Sequence, residues 1–170
     1  MYSHILYPTD GSEAAETVIG HVKDLATTYD ARVHVLYVVT PDNGDTSFKL
    51  KKDDQGNWRT GMFKRKGKPV STSGMAKGSV DVNEVLRAEG QSYIQAVADE
   101  FNEAGCKVKT ACNQGKPNEE ILNYAEENDI DLITMGTHGR SGVEHAFLGS
   151  VTEKVVRKSK TPVLTIRQDE

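Results

Sequence analysis

Long apolar runs are missing from this sequence. No stretch approaches the roughly 20 consecutive apolar residues that carry a helix across a bilayer, so an integral membrane protein is not expected. The opening MYSHILYPTDG lacks the basic start and the apolar core of roughly 7 to 15 residues that mark a secretory signal, which makes the cytoplasm the expected location. Cysteine is scarce, with Cys106 and Cys112 alone. Six residues of extended strand would hold their Cα atoms roughly 20 Å apart. A disulfide needs them within roughly 7 Å, so two reduced thiols are expected.

Familiar catalytic signatures are also lacking. No GxxxxGK[ST] phosphate loop occurs, because GTHGRSGV has neither its spacing nor its lysine. No GxGxxG stands between the first predicted strand and helix, where YPTDGS is found instead. His4, His21, His34, His138 and His145 show no metal-ligand spacing with the cysteines. A P-loop ATPase, a dinucleotide-binding enzyme and a zinc site are thereby set aside.

What is present suits one globular domain over residues 1–170, with 36% hydrophobic and 27% charged residues. The net charge of -4 argues against general nucleic-acid binding, but it is unevenly spread. Residues 42–80 carry nine Lys or Arg against four Asp, a basic insert in an acidic body. Within it, SFKLK and WRTGM flank the turn-like DDQGN, which predicts a hairpin over about 48–62. The insert is expected to serve as a mobile lid or docking arm, its basic residues approaching the phosphates of a ligand or an acidic partner.

Outside the insert, strand and helix patterns alternate. HILY, ended by Pro8, reads as a buried strand. Ala15, Val18, Ile19, Val22, Leu25, Ala26 and Tyr29 recur at helical spacing behind a Ser12 cap and predict one helix. RVHVLYVV predicts a second strand. A long helix follows from Val80, interrupted by a tolerated Gly90 and ended by Gly105. CKVKTAC, a helix opened by Pro117, DIDLITMG, a helix ending near Ser159 and PVLTIR complete five strands with their helices. Such alternation favours a parallel sheet with helices on both faces and a ligand beyond the carboxyl ends of its strands.

Three segments therefore matter most: YPTDG, QGKP and MGTHG. Gly136 and Gly139 follow a predicted strand, and Gly149-Ser150 precedes a predicted helix. Residues without a Cβ let the backbone approach an anion, and a helix start offers unpaired amides. The Ser150 hydroxyl adds a donor. A duller reading is that these glycines only shape a tight connection.

The spacing is Gly136, two residues, Gly139, nine residues, then Gly149-Ser150. It resembles the nucleotide-binding signature of the ATP-binding branch of the universal stress protein family. ILYPTDGSEAA, GKPNEEIL and the block DLITMGTHGRSGVEHAFLGSVTEKVVRKSKTPVL extend the likeness to most of the chain, leaving residues 42–80 outside it. The resemblance implies a five-stranded parallel sheet of order 3-2-1-4-5, an adenine nucleotide alpha hydrolase-like, Rossmann-like sandwich. It also implies a homodimer joined through the C-terminal strand 162–167.

Residue by residue, the resemblance places Pro8, Thr9 and Asp10 beside the nucleoside and the backbone of Val38 beside adenine. Gly136, His138, Gly139, Gly149, Ser150 and Val151 would surround the phosphates, and Gly115 would line the pocket. The implied ligand is ATP, with ADP or AMP as alternatives, accompanied by Mg²⁺ or Mn²⁺ at Asp10. Asp10 can equally brace the turn in TDGS. With no positioned base or lysine clamp in view, the expected activity is a nucleotide-dependent sensor or regulator of the stress response with at most weak hydrolysis. A metal-dependent nucleotide hydrolase or transferase acting through Asp10 and Ser150 is one alternative. A nucleotide-independent dimeric scaffold is the other.

Overall fold

The computed structural model describes residues 1–40, 50–52, 58–60, 82–137 and 148–167. In chain order its elements are β1 (His4–Thr9), α1 (Glu13–Glu16), α2 (Val18–Tyr29), β2 (Arg32–Val39), β3 (Leu50–Lys52), β4 (Trp58–Thr60), α3 (Val82–Glu103), β5 (Lys107–Gln114), α4 (Pro117–Glu127), β6 (Leu132–Gly136), α5 (Ser150–Lys158) and β7 (Val163–Ile166). Five of the strands form a parallel sheet ordered β5-β2-β1-β6-β7. Counted without the β3–β4 pair, this is the expected order 3-2-1-4-5.

The inner strands β1, β2 and β6 are apolar on both faces because helices cover both faces. Along β2, Val33, Val35, Tyr37 and Val39 join a core built with α2 and α3. Leu36 faces the opposite way, into a core with Ile121 and Tyr124 of α4 and Val155 of α5. The period of two thus separates the layers. In the first layer Tyr7 meets Phe101 edge to face at 6.1 Å.

Three sequence expectations are corrected locally. Pro8 does not end β1, which runs on through Thr9 in register with Tyr37. Its missing N–H is tolerated because registered pairing with β6 stops at Leu6, before the proline arrives. The predicted single helix after Ser12 is divided at Thr17, whose Oγ1 donates to the Ala14 carbonyl at 2.8 Å, a back-bond that bends helices. Gly90 is more than tolerated. A Cβ there would stand 2.6 Å from Cδ1 of Tyr37, so the glycine admits the buried ring against α3.

Gly105 does close α3, with φ +79 and the Cys106 amide donating back to the Phe101 carbonyl at 3.0 Å. β3 and β4 pair antiparallel, Lys51 opposite Arg59, within the span expected for a hairpin. The remaining insert residues, and His138, Gly139 and His145, lie outside the described residues. Both cysteines are free, Cys106 buried and Cys112 half-buried. No helix among the described residues is long and apolar enough to cross a membrane.

At the amino ends of the strands a polar chain joins several elements. His4 Nδ1 lies 3.0 Å from His34 Nε2, and His34 Nδ1 lies 3.1 Å from the Tyr124 hydroxyl. Burial first, then the charges of His4, Lys109 and Arg32, push the His34 pKa down to about 4. Beside it the Asp131 carboxylate accepts from the Ser3 and His4 amides at 2.7 and 2.9 Å. Chiefly the Ser3 bond holds its pKa below the usual carboxylate value.

Candidate functional site

The carboxyl ends of β1, β2 and β6 open into a cavity of about 300 Å³. It lies where the chain leaves β1 toward β2 on one side and returns to β6 on the other, the place where such sheets take ligands. β1 contributes Pro8 and Thr9, followed by Asp10. Leu36, Val38 and Thr40 enter from β2 and its end because alternate residues share a face. Met135 and Gly136 close β6, Pro117 and Ile121 come from α4, and Ala15 from α1. The fourth side is the start of α5: Gly149, Ser150, Val151 and Thr152.

The loop after β1 is held by its own short polar side chains. Gly11 takes φ +76, and its amide donates to Thr9 Oγ1 at 3.2 Å. The Ser12 amide donates to Asp10 Oδ1 at 3.0 Å, and Ser12 Oγ accepts from the Ala15 amide to cap α1. Asp10 therefore braces the turn and is also one of the residues lining the cavity. Beneath this loop, buried Tyr7 donates to the Ala15 carbonyl at 2.6 Å. Burial raises the Tyr93 pKa to about 12, so both phenols are neutral hydrogen-bonding groups at physiological pH.

At the opposite wall Gly149 is the extended cap residue of α5, with φ -62 and ψ 150. Its amide donates to the Thr137 carbonyl at 2.7 Å, and the helix ladder begins with the Glu153 amide on the Gly149 carbonyl at 2.8 Å. The amides of Ser150, Val151 and Thr152 stand ahead of that ladder, at the positive end of the helix. One end of the cavity is thus suited to an anion. Leu36, Val38, Ile121 and Met135 provide apolar surface suited to a flat organic group.

Of the residues singled out by sequence, Pro8, Thr9, Asp10, Val38, Gly136, Gly149, Ser150 and Val151 all line this cavity. Gly115 is not among the lining residues. Its amide donates to the Val39 carbonyl at 2.9 Å, and a Cβ would meet Glu120 Oε1 at 2.7 Å. It turns the chain from β5 into α4 beside the Asn113–Glu120 hydrogen bond. His138 and Gly139 lie outside the described residues.

Sequence reading missed the apolar wall and Thr152. Leu36, Ile121 and Met135 read as ordinary core positions, and only the strand order shows that their layer opens here. Thr152 stood in plain view in Gly149-Ser-Val-Thr, one helical turn beyond the cap. Among the described residues no group of three His, Cys, Asp or Glu side chains could hold a metal ion by itself.

The family pattern described as "Universal stress protein family" matches residues 1–167. Universal stress protein MJ0577 of Methanocaldococcus jannaschii is 33% identical over 172 residues, covering 99% of this chain and 96% of the relative. The solved structure of MJ0577 matches with a TM-score of 0.75 at 30% identity, covering 100% of this chain and 99% of that one. Two more distant structures share the fold. One is a universal stress protein in complex with cAMP, with a TM-score of 0.59, 19% identity and coverage of 98% and 97%. The other is a universal stress protein from Archaeoglobus fulgidus in complex with dAMP, with a TM-score of 0.61, 17% identity and coverage of 98% of both chains.

Proposed function

Because the chain belongs to the universal stress protein family, we propose that it binds an adenine nucleotide, ATP foremost, in the cavity at the carboxyl ends of β1, β2 and β6. The carrying observation is the pairing of an apolar slot with the uncapped start of α5 in one cavity. The cAMP and dAMP complexes of proteins with this fold support the choice of adenine over other bases. ADP and AMP satisfy the same chemistry with fewer phosphates.

In this reading Pro8, Thr9 and Asp10 flank the nucleoside, and the Val38 backbone meets the base. Gly136, Gly149, Ser150 and Val151 receive the phosphates together with His138 and Gly139. Asp10 is the carboxylate that would share Mg²⁺ or Mn²⁺ with the phosphates, since such ions are held by one or two carboxylates plus phosphate oxygens. The bound cation would offset phosphate charge. Among the described residues the cavity wall carries that one carboxylate and no lysine, arginine or histidine. This supports slow hydrolysis, because fast phosphoryl transfer uses a positioned base and a cationic clamp.

The protein then acts as a nucleotide-dependent regulator in the cytoplasm rather than as an efficient hydrolase. Residues 1–170 act as one domain, the β7 edge joins two copies, and the basic insert 42–80 receives an acidic partner. Native mass spectrometry of the purified protein, followed by calorimetric titration of ATP into wild type and Gly149→Val, tests the binding claim. Co-purified nucleotide or micromolar ATP affinity, lost on adding a side chain at the helix start, is the expected result. Absence of nucleotide and of binding heat in the wild type would leave the loops as architecture alone.

A further inference from the structure

Three threonines in or beside the described helices donate their hydroxyls to backbone carbonyls, and one behaves differently. Thr17 Oγ1, at the junction of α1 and α2, donates to the Ala14 carbonyl, and Thr27 Oγ1 of α2 to the Lys23 carbonyl, each three or four residues back along the chain. Thr152 Oγ1 instead crosses 16 residues of sequence to the Gly136 carbonyl at the tip of β6, at 3.0 Å. Thr152 is buried, yet it contributes to the cavity wall. Its bond runs parallel in purpose to that of the Gly149 amide on the Thr137 carbonyl at 2.7 Å. Together they fasten the first turn of α5 to the end of β6 at two successive carbonyls.

We infer that Thr152 is a positioning residue for the phosphate end of the site, a step that rests on the nucleotide reading above. Its hydroxyl acts in two ways. It fixes the distance between the Gly136 backbone and the leading amides of α5, which must converge on one anion to bind it well. It also occupies a lone pair of the Gly136 carbonyl, whose negative end would otherwise be available to face an anionic ligand. A hydrogen bond made only for packing would treat all ligands of the cavity alike. Thr152 separates phosphate-bearing ligands from the bare nucleoside.

The test is calorimetric titration of wild type, Thr152→Val and Thr152→Ser with ATP and with adenosine, alongside thermal melts of each protein. Valine keeps the shape and removes the donor; serine keeps the donor. Thr152→Val should lose roughly tenfold in ATP affinity, the scale of one hydrogen bond, with adenosine affinity unchanged and ATP affinity recovered in Thr152→Ser. Equal losses for ATP and adenosine, unaltered ATP binding, or failure of serine to recover it would overturn the assignment. Where adenosine binds too weakly to titrate directly, its affinity for each variant is read by competition against ATP. Thr152→Ala replaces the valine variant should valine not fold. Wild type that binds no ATP at all would refute the nucleotide reading itself, a separate failure.

Discussion

At the scale of single residues, Gly90 and His34 carry the least obvious consequences. Alanine is normally favoured over glycine inside a helix by about 1 kcal/mol. At position 90 the added Cβ would press on a buried ring 2.6 Å away, and overpacking of this kind costs about 1–3 kcal/mol. Gly90→Ala should therefore lower the midpoint of chemical unfolding instead of raising it. His34 gives a pH dependence of definite sign. Its folded pKa of about 4 lies below the ordinary 6.5, so between those values the unfolded chain holds more protons at this residue. The contribution of neutral His34 is complete above about pH 6.5 and is lost as the pH falls toward about 4. Urea midpoints measured from pH 7 to pH 5 should fall, and more steeply than in His34→Gln. Neither effect was legible in the sequence, because Tyr37 and Tyr124 are far from their partners along the chain and only the sheet brings them together.

Elements were more legible than residues. The spacing of Val85, Leu86, Tyr93, Ile94, Val97 and Phe101 marks α3, and all six side chains are buried. β5 runs to Gln114, past the apolar alternation of CKVKTAC, because it pairs along the whole of β2 and its outer residues need not be apolar. α4 shows where an element's start is under-used. Its cap residue, Lys116, has extended backbone but makes no side-chain cap, and it places a cation at the positive end of the helix. Its exposed ion pair with Glu119 at 3.1 Å offsets little of this. Lys116→Ser should gain about 0.5–1 kcal/mol, read as an upward shift of the thermal midpoint.

For the molecule as a whole, the order β5-β2-β1-β6-β7 leaves β7 at one margin with apolar side chains showing. Leu164 is 38% exposed and Val156, on the helix before it, 42%. A margin of this kind invites pairing with a second copy around a twofold axis. Sedimentation velocity should accordingly find a dimer in wild type and a monomer in Leu164→Glu, the variant keeping the far-ultraviolet dichroism of a folded subunit while its thermal midpoint loses the contribution of dimerisation. A wild-type monomer would remove the dimer from the proposed function. The cavity belongs to this scale too. The glycine spacing and the family likeness raised the expectation of an anion site and a nucleoside, which the proposed function takes up. The apolar wall waited for topology, since Leu36, Ile121 and Met135 are distant in sequence and meet only when β2, α4 and β6 are stacked. The β3–β4 hairpin, finally, has an optical consequence. It carries Trp58, the sole tryptophan of the chain. Indole emission therefore follows the separate β3–β4 pair, whereas far-ultraviolet dichroism follows chiefly the five-stranded sheet and its helices. Unfolding curves from the two signals that fail to coincide would show that the β3–β4 pair and the five-stranded sheet do not melt as one two-state unit.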